Sequence, residues 1–532
     1  MPTGLTRRRF LGASAAAAFF AACSRGGGSD DASPAKPPPL GSDPFTLGVA
    51  SGDPTSDSVV LWTRLAPVPL EGGGMPDTDV EVGWQVGTDE SLSDVVAEGV
   101  ALAVPELGHS LHVDAVGLGA DRHYWYRFFV GDWETQIART RTMPKPDASP
   151  ERLRFGQVSC QNYDAAFFTA YTDLAAHDPD LVVHCGDYIY ERPSTDAGEG
   201  FEEIVVRDDP VPEALDIDGY RNRYGLYKQD ENLLAAHAVA PWLVTWDDHE
   251  VENNYTSDSP EADSETPDRE SFLARRAAAY QAWWEHMPVR MEAPVGPDLA
   301  IYRRTSFGDL ARFLVLDTRQ YRTPQTCGDP DIPIGDVGPR CDAAFDPATT
   351  VFGPEQEQWI DDELGTSPAL WNILVQQIVM QQWRFAPGNA AWNLDQWDGY
   401  PAARDRLLAT IRDSGAPNPV VLTGDVHSSW VGGLVEDFDD PESPTLGTEF
   451  VAPGISSDPG AVAAVVDTVL ANSPHIAWAE AMHRGWVFHD VTRDTWTTEY
   501  RLVDNAEVEE SPVTTASAWS LSAGTGKAAI AR

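Results

Sequence analysis

Basic residues are scarce in this chain. Lysine and arginine together number 37 against 83 aspartates and glutamates in 532 residues, a formal net charge of −46. No Lys-rich run or basic patch interrupts the acidic background, which argues against sequence-specific nucleic-acid partners and against electrostatic binding to anionic membranes. Adaptation of a secreted protein to salt accounts for most of that charge without any ligand. A phosphate-bearing substrate would be repelled as well, unless concentrated positive charge stood beside it, and bound metal ions are the obvious supply. Long apolar runs are lacking too: Leu11 to Ala22 is too short to cross a bilayer, and no other segment is apolar enough.

Cysteine is rare, and its count of 5 is odd, so each needs its own account. Cys327 and Cys341 flank a loop rich in Gly, Asp and Pro and are expected to pair in an oxidising compartment. Cys185 lies inside an apolar run and reads as a small core residue. Cys160 closes another apolar run and reads as a candidate thiolate. Cys23 belongs to the N-terminus, where Thr6-Arg7-Arg8-Arg9-Phe10-Leu11 is a twin-arginine pattern followed by the short apolar stretch. That pattern implies the twin-arginine export machinery as a partner, and a secreted or surface-anchored product whose cofactor is loaded before export. Phe20-Ala21-Ala22-Cys23 approximates a lipoprotein cleavage box, with Phe where Leu is usual, so a lipid anchor at Cys23 is expected, with ordinary cleavage nearby as the alternative. Residues 1–44 therefore read as signal and flexible linker.

Four segments follow from composition and period. Residues 45–145 show short alternating strands separated by turn signals, including Val80 to Val86 and a hairpin across Gly131-Asp132, which suggests an immunoglobulin- or fibronectin-like β-sandwich. From Leu153 the pattern becomes strand–helix alternation, the sign of an α/β domain, expected over 146–510. Helices are expected near 165–177, 268–286 and 354–364, and a charged insertion over 193–218. The final residues, 511–532, are small and polar and read as a tail.

Chemistry concentrates where the α/β strands end. Val182-Val183-His184-Cys185 runs into Gly186-Asp187-Tyr188-Ile189-Tyr190-Glu191, so a carboxylate stands at the carboxyl end of a buried strand, with a phenol three residues on. A phenolate beside a carboxylate suits a hard, highly charged cation such as ferric iron. Taken singly, a Gly-Asp after a strand is common, and a loop aspartate bonding backbone amides explains it equally well. Three further strand ends change that balance: Cys160; Asp247, Asp248 and His249; and Asp425 with His427. Such ends converge in space on one sheet. Asp425 and His427 are two apart and share a face if extended, so they can serve two neighbouring ions. Metal pairs about 3.5–4 Å apart clamp the attacking and leaving oxygens of a phosphoryl displacement, and Asp187 is the natural bridge.

Ser159-Cys160, Gly186 to Glu191, Asp247-Asp248-His249-Glu250-Val251, Tyr280 to Pro288 and Gly424-Asp425-Val426-His427 resemble PhoD-type alkaline phosphatases over most of residues 45–510. The resemblance implies a metallophosphoesterase-like α/β/β/α domain behind the sandwich, a site for iron (Fe3+) and calcium (Ca2+), and hydrolysis of phosphate monoesters and diesters outside the cytoplasm. By it, Cys160, Asp187, Tyr190 and His427 would hold iron. Asp187, Asp248 and Asp425 would hold calcium, with Asn253 or Asn254 as further ligands. Oxygen donors suit calcium, and thiolate and phenolate suit iron, so the ligand chemistry agrees independently. His249 would stabilise or protonate the leaving group, or, in the plainer reading, orient a ligand.

The site is also similar to that of purple acid phosphatases, with two departures. Cys160 stands for an aspartate there, and Gln376 or Gln377 stands where a histidine is expected. Losing that imidazole favours an oxygen-coordinated second ion over zinc. Asp398 and Arg319, in polar loops, read as structural. Expected substrates are phosphate-ester small molecules or phospholipids. The alternatives are a phospholipase D-like phosphodiesterase and a non-catalytic metal- or phosphate-binding surface protein.

Overall fold

The strands alternate between two cores, and this sets the layering. Leu181, Val183 and Cys185 face one apolar cluster while Val182 faces another; Phe313 and Val315 share the first cluster while Leu314 faces a third. Strands buried on both faces must be covered on both. In the computed structural model, residues 40–194, 205–261, 264–327, 337–385, 391–459 and 463–524 are described. The twin-arginine pattern, Cys23 and part of the 193–218 insertion lie outside them.

One sheet has nine strands, in the order Val513–Ser522, Thr495–Val503, Gly485–Thr492, Arg152–Val158, Leu181–His184, Trp242–Val244, Val49–Gly52, Ser58–Arg64 and Ser110–Val116. A seven-stranded sheet contains Ala311–Val315, Trp371–Val375, Pro419–Thr423 and Thr445–Val451 as parallel neighbours. Their inner faces meet through Phe155, Val183, Phe313, Ile373, Leu422 and Phe450. Helices Thr169–Ala176, Ile217–Tyr227, Glu231–His237 and Arg269–His286 cover the outer face of the first sheet. Gly353–Gly365 and Pro401–Ser414 cover that of the second. The layers are thus helix, sheet, sheet, helix. The parallel strands of both sheets end together: Thr245 Oγ1 donates to the Leu316 carbonyl at 2.9 Å, and Gln377 Nε2 donates to the Trp246 carbonyl at 2.7 Å.

The N-terminal region is divided between two sheets. Val80–Gly87, Val95–Ala103, His123–Val130 and Trp133–Glu134 form a separate sheet, with Ala138–Arg141 pairing His123–Val130. It packs through Val82, Tyr126 and Phe128 onto Leu61, Val113 and Ala115. Those last three sit on strands that continue the nine-stranded sheet, so strands from before residue 145 extend a sheet whose centre comes from after it. The expected tail is corrected. Residues 513–522 form an edge strand paired with Thr495–Val503, because Trp519 and Leu521 alternate with polar neighbours and are buried. Cys327 and Cys341 are disulfide-bonded with Cα atoms 5.4 Å apart, and Cys185 is buried in the inter-sheet core.

Candidate metal centre and cleft

Immediately after the strands the backbone turns sharply. Cys160, Asp187, Asp425 and His427 all adopt left-handed φ, between 52° and 66°. Each such non-glycine residue costs about 1–3 kcal/mol, which persists only where surrounding contacts enforce it. Gly186, at φ 110°, is required for a different reason: a Cβ there would lie 2.7 Å from the Asp247 backbone nitrogen. That close approach brings two strand ends together. Glu250 fixes the junction, accepting from the backbone N–H of Asp187 at 3.1 Å, Tyr188 at 2.7 Å and Asp247 at 2.8 Å.

Two overlapping ligand groups result. Donor atoms of Cys160, Asp187 and His427 lie within 4.8 Å of one another, and so do those of Asp187, Asp247 and Asp248. Asp187 belongs to both. Tyr190 joins the first group, its Oη 2.8 Å from His427 Nε2 and 3.5 Å from Asp187 Oδ2. Ser457 Oγ lies 2.7 Å from that phenol oxygen and 2.8 Å from the Cys160 carbonyl. Sequence reasoning missed Ser457, since a serine in an irregular loop carries no signal.

The acids fit cations. Asp187 Oδ1, Asp247 Oδ2 and Asp248 Oδ1 are buried without a hydrogen-bond partner, although Arg319 Nη2 stands 3.2 Å from the last in poor geometry. Buried carboxylates are ordinarily paired or bound to metal. Burial, reinforced by Asp248, pushes the Asp187 carboxyl well above its usual range. Burial does the same to Asp247 despite Arg319. A cation among these oxygens would remove the conflict. Burial and the neighbouring Asp187 likewise raise the Cys160 thiol and the Tyr190 phenol, groups that ionise only beside strong positive charge.

Asp425 lines the same cleft, where its Oδ1 accepts from Arg319 at 2.7 Å and its Oδ2 from Gln396 at 2.6 Å. Asp247, which the sequence marks only as a strand end, joins Asp187 and Asp248 in the carboxylate group. Asn253 and Asn254 line the cleft as expected of further ligands, with Asn253 Nδ2 donating to Glu261 at 3.0 Å and the Asn254 backbone N–H donating to Asp248 at 2.6 Å. Arg319 is structural, as expected, yet central: fully buried, it pairs with Asp247, Asp248, Asp395 and Asp425. Asp398 is structural too, paired with Arg340 and Arg404.

The two histidines are held in opposite states. His249 Nδ1 lies 2.7 Å from Glu191 Oε2, and its ring stacks on Tyr190 with centroids 4.1 Å apart. Burial works against its charge, but the Glu191 carboxylate prevails and raises the imidazole to about 10. His427 Nδ1 instead faces the Asp458 carbonyl at 2.8 Å. Burial, with His249 nearby, lowers His427 to about 4, so it is neutral and turns an Nε2 lone pair toward the Tyr190 phenol.

A cleft of about 280 Å³ opens above these groups. Asp187, Asp248, His249 and Asp425 form one side, and Trp383, Phe385, Val426, Trp430 and Val465 form the other. No lysine or arginine is among the described residues lining it. A phosphoryl group entering there would find positive charge only at His249 and at whatever ions the acids hold.

Comparison with known proteins agrees with this geometry. A family model described as PhoD-like phosphatase matches residues 155–500, and one for the N-terminal domain of the same phosphatases matches 31–144. The chain belongs to the PhoD-like phosphatase family. It is 45% identical over 475 residues to alkaline phosphatase D of Bacillus subtilis strain 168, covering 88% of this chain and 79% of that protein. A solved structure of PhoD superposes with a TM-score of 0.86 at 43% identity, covering 91% of this chain and 92% of the other. This PhoD-like phosphatase has a mixed α/β, sheet-rich fold matching that structure. No helix among its described residues is long and apolar enough to cross a membrane.

Proposed function

We propose that this phosphatase hydrolyses phosphate monoesters and diesters outside the cytoplasm with one iron and one or more calcium ions. The carrying observation is the sharing of Asp187 by two ligand groups of different chemistry. Cys160, Tyr190 and His427 offer soft, phenolic and imidazole donors suited to iron, while Asp247 and Asp248 offer oxygens suited to calcium. Asp425, which lines the same cleft, adds a further carboxylate to the calcium side. When bound, such ions neutralise developing phosphoryl charge and lower the pKa of water.

The chain's own residues supply the remainder. Asp187 positions both halves against one another, and Glu250 holds its backbone. His249, kept protonated by Glu191, faces the cleft as the acid that protonates or stabilises the departing oxygen. His427 stays unprotonated because burial and the nearby His249 disfavour its charge, and the Asp458 carbonyl at its Nδ1 does not offset them. The immunoglobulin-like and metallophosphoesterase-like descriptions of the two regions, twin-arginine export and a lipid anchor at Cys23 belong to the same proposal.

The test is chelation followed by separate re-addition of iron and calcium, read with one monoester and one diester. Recovery of both activities only with both ions supports the reading. Full activity in the stripped protein, or recovery with either ion alone, contradicts it.

A further inference from the structure

The acidic side of the cleft explains how phosphorus is held, but nothing so far assigns the opposite wall. Trp383 and Trp430 are 4% and 0% exposed, with ring centroids 4.1 Å apart; Phe385 lies 6.2 Å from Trp383. Val426 and Val465, both partly buried, pack on the same cluster. The wall is rigid where it meets the site. The Trp383 backbone N–H donates to Asp398 at 2.8 Å, and Asp398 is itself held by Arg340 and Arg404, each at 2.6 Å. Trp430 Nε1 donates to Ser428 Oγ at 2.8 Å. Trp383 Nε1 differs: it is buried and has no partner. A buried indole N–H usually finds an acceptor. Here that N–H is sealed from solvent, and it is the indole ring that the side chain offers to the cleft.

We propose that Trp383 is a specificity-determining residue, and that this wall selects phosphate esters carrying an aromatic or other apolar group beside the phosphoryl. Such a group packs on Trp383, Phe385 and Val465. An ester whose alcohol is small and hydroxylated has nothing to offer the wall and leaves its apolar surface wet. The inference rests on the phosphatase reading for the placement of phosphorus, and it adds the class of substrate.

The experiment compares p-nitrophenyl phosphate with glycerol phosphate on the metal-loaded protein and on Trp383→Phe, Trp383→Leu and Phe385→Ala. It also measures calorimetric binding of phenylphosphonate against methylphosphonate, which needs no turnover. The wild type is expected to favour the aryl member of each pair. Trp383→Leu should lower the aryl-to-glycerol ratio of kcat/KM by about tenfold, mainly through KM, and narrow the phosphonate difference to match. Trp383→Phe, which keeps an aromatic ring, should lower it less. Phe385→Ala, at the half-buried edge of the wall, makes the same test should Trp383→Leu not fold. Equal losses for both esters, or an unchanged ratio with an unchanged phosphonate difference, overturn the proposal. Turnover of neither ester by the wild type would instead count against the phosphatase reading, and the phosphonate pair would still decide the wall.

Discussion

His249 and His427 flank the same tyrosine ring, yet one is an imidazolium and the other a neutral imidazole. Both are buried, which by itself disfavours charge. The difference lies in what receives Nδ1: the carboxylate of Glu191 for His249, and the backbone carbonyl of Asp458 for His427. A carboxylate stabilises the cation directly, whereas a carbonyl only fixes the tautomer. The protein thus holds one protonated and one neutral imidazole around a single ring, the two states that the proposed proton donor and the proposed metal ligand require. Their neighbours, not their motifs, assign the roles.

The largest effects should come from removing what both histidines serve. Asp187→Asn, which weakens both ligand groups, should lower kcat on the order of 10³-fold and reduce bound iron and calcium together, measured by turnover and elemental analysis. His427→Ala should cost similar activity but lose iron selectively. His249→Gln should keep both ions and lose about 10²–10⁴-fold in turnover, the range of a general acid. Retained iron in the first histidine variant, or lost iron in the second, would break the distinction between them.

Glu191→Gln sharpens it further. The raised pKa means His249 stays protonated below about 10 and loses its proton as pH rises through that value. Replacing the carboxylate should draw this alkaline limb down toward the ordinary histidine range and cost about 10–100-fold at pH 9. A pH–rate profile with an unmoved limb would sink the claim that Glu191 sets the charge.

Arg319→Met tests the acidic half. Leaving Asp247, Asp248, Asp395 and Asp425 without their buried guanidinium should destabilise by about 3–5 kcal/mol, seen in chemical denaturation. Added calcium should recover part of that loss. The smallest effect is expected from Ser457→Ala, which removes a contact to Tyr190 and should shift the visible absorption more than the rate.

Much of this site is legible in the sequence because parallel strands deliver their ends to one place. Cys160, Asp187, Tyr190, Asp248, His249 and His427 need only the strands to be recognised, and those are continuous apolar runs. What escaped depends on geometry that local pattern does not encode. Arg319 reads as one arginine after a strand, and only the fold surrounds it with four carboxylates. Ser457 and the Asp458 carbonyl act from an irregular loop. Asp247 joins the carboxylate group because the fold buries its Oδ2 beside Asp187 and Asp248 without a partner. Helix Ile217–Tyr227 was hidden because its buried residues are Arg223, three tyrosines, a glycine and a single leucine, which leaves no aliphatic stripe to find. Strand 513–522 was hidden because only Trp519 and Leu521 carry its alternation, in a stretch otherwise mostly of serine, threonine and alanine.

The most direct test of the account is metal content of the purified wild-type protein and of Tyr190→Phe, with visible spectra of both. The account predicts iron with calcium in the wild type and a tyrosinate charge-transfer band that disappears in the variant. Zinc alone or no metal, or a band that survives in Tyr190→Phe, would contradict the division of this site into an iron half and a calcium half joined at Asp187.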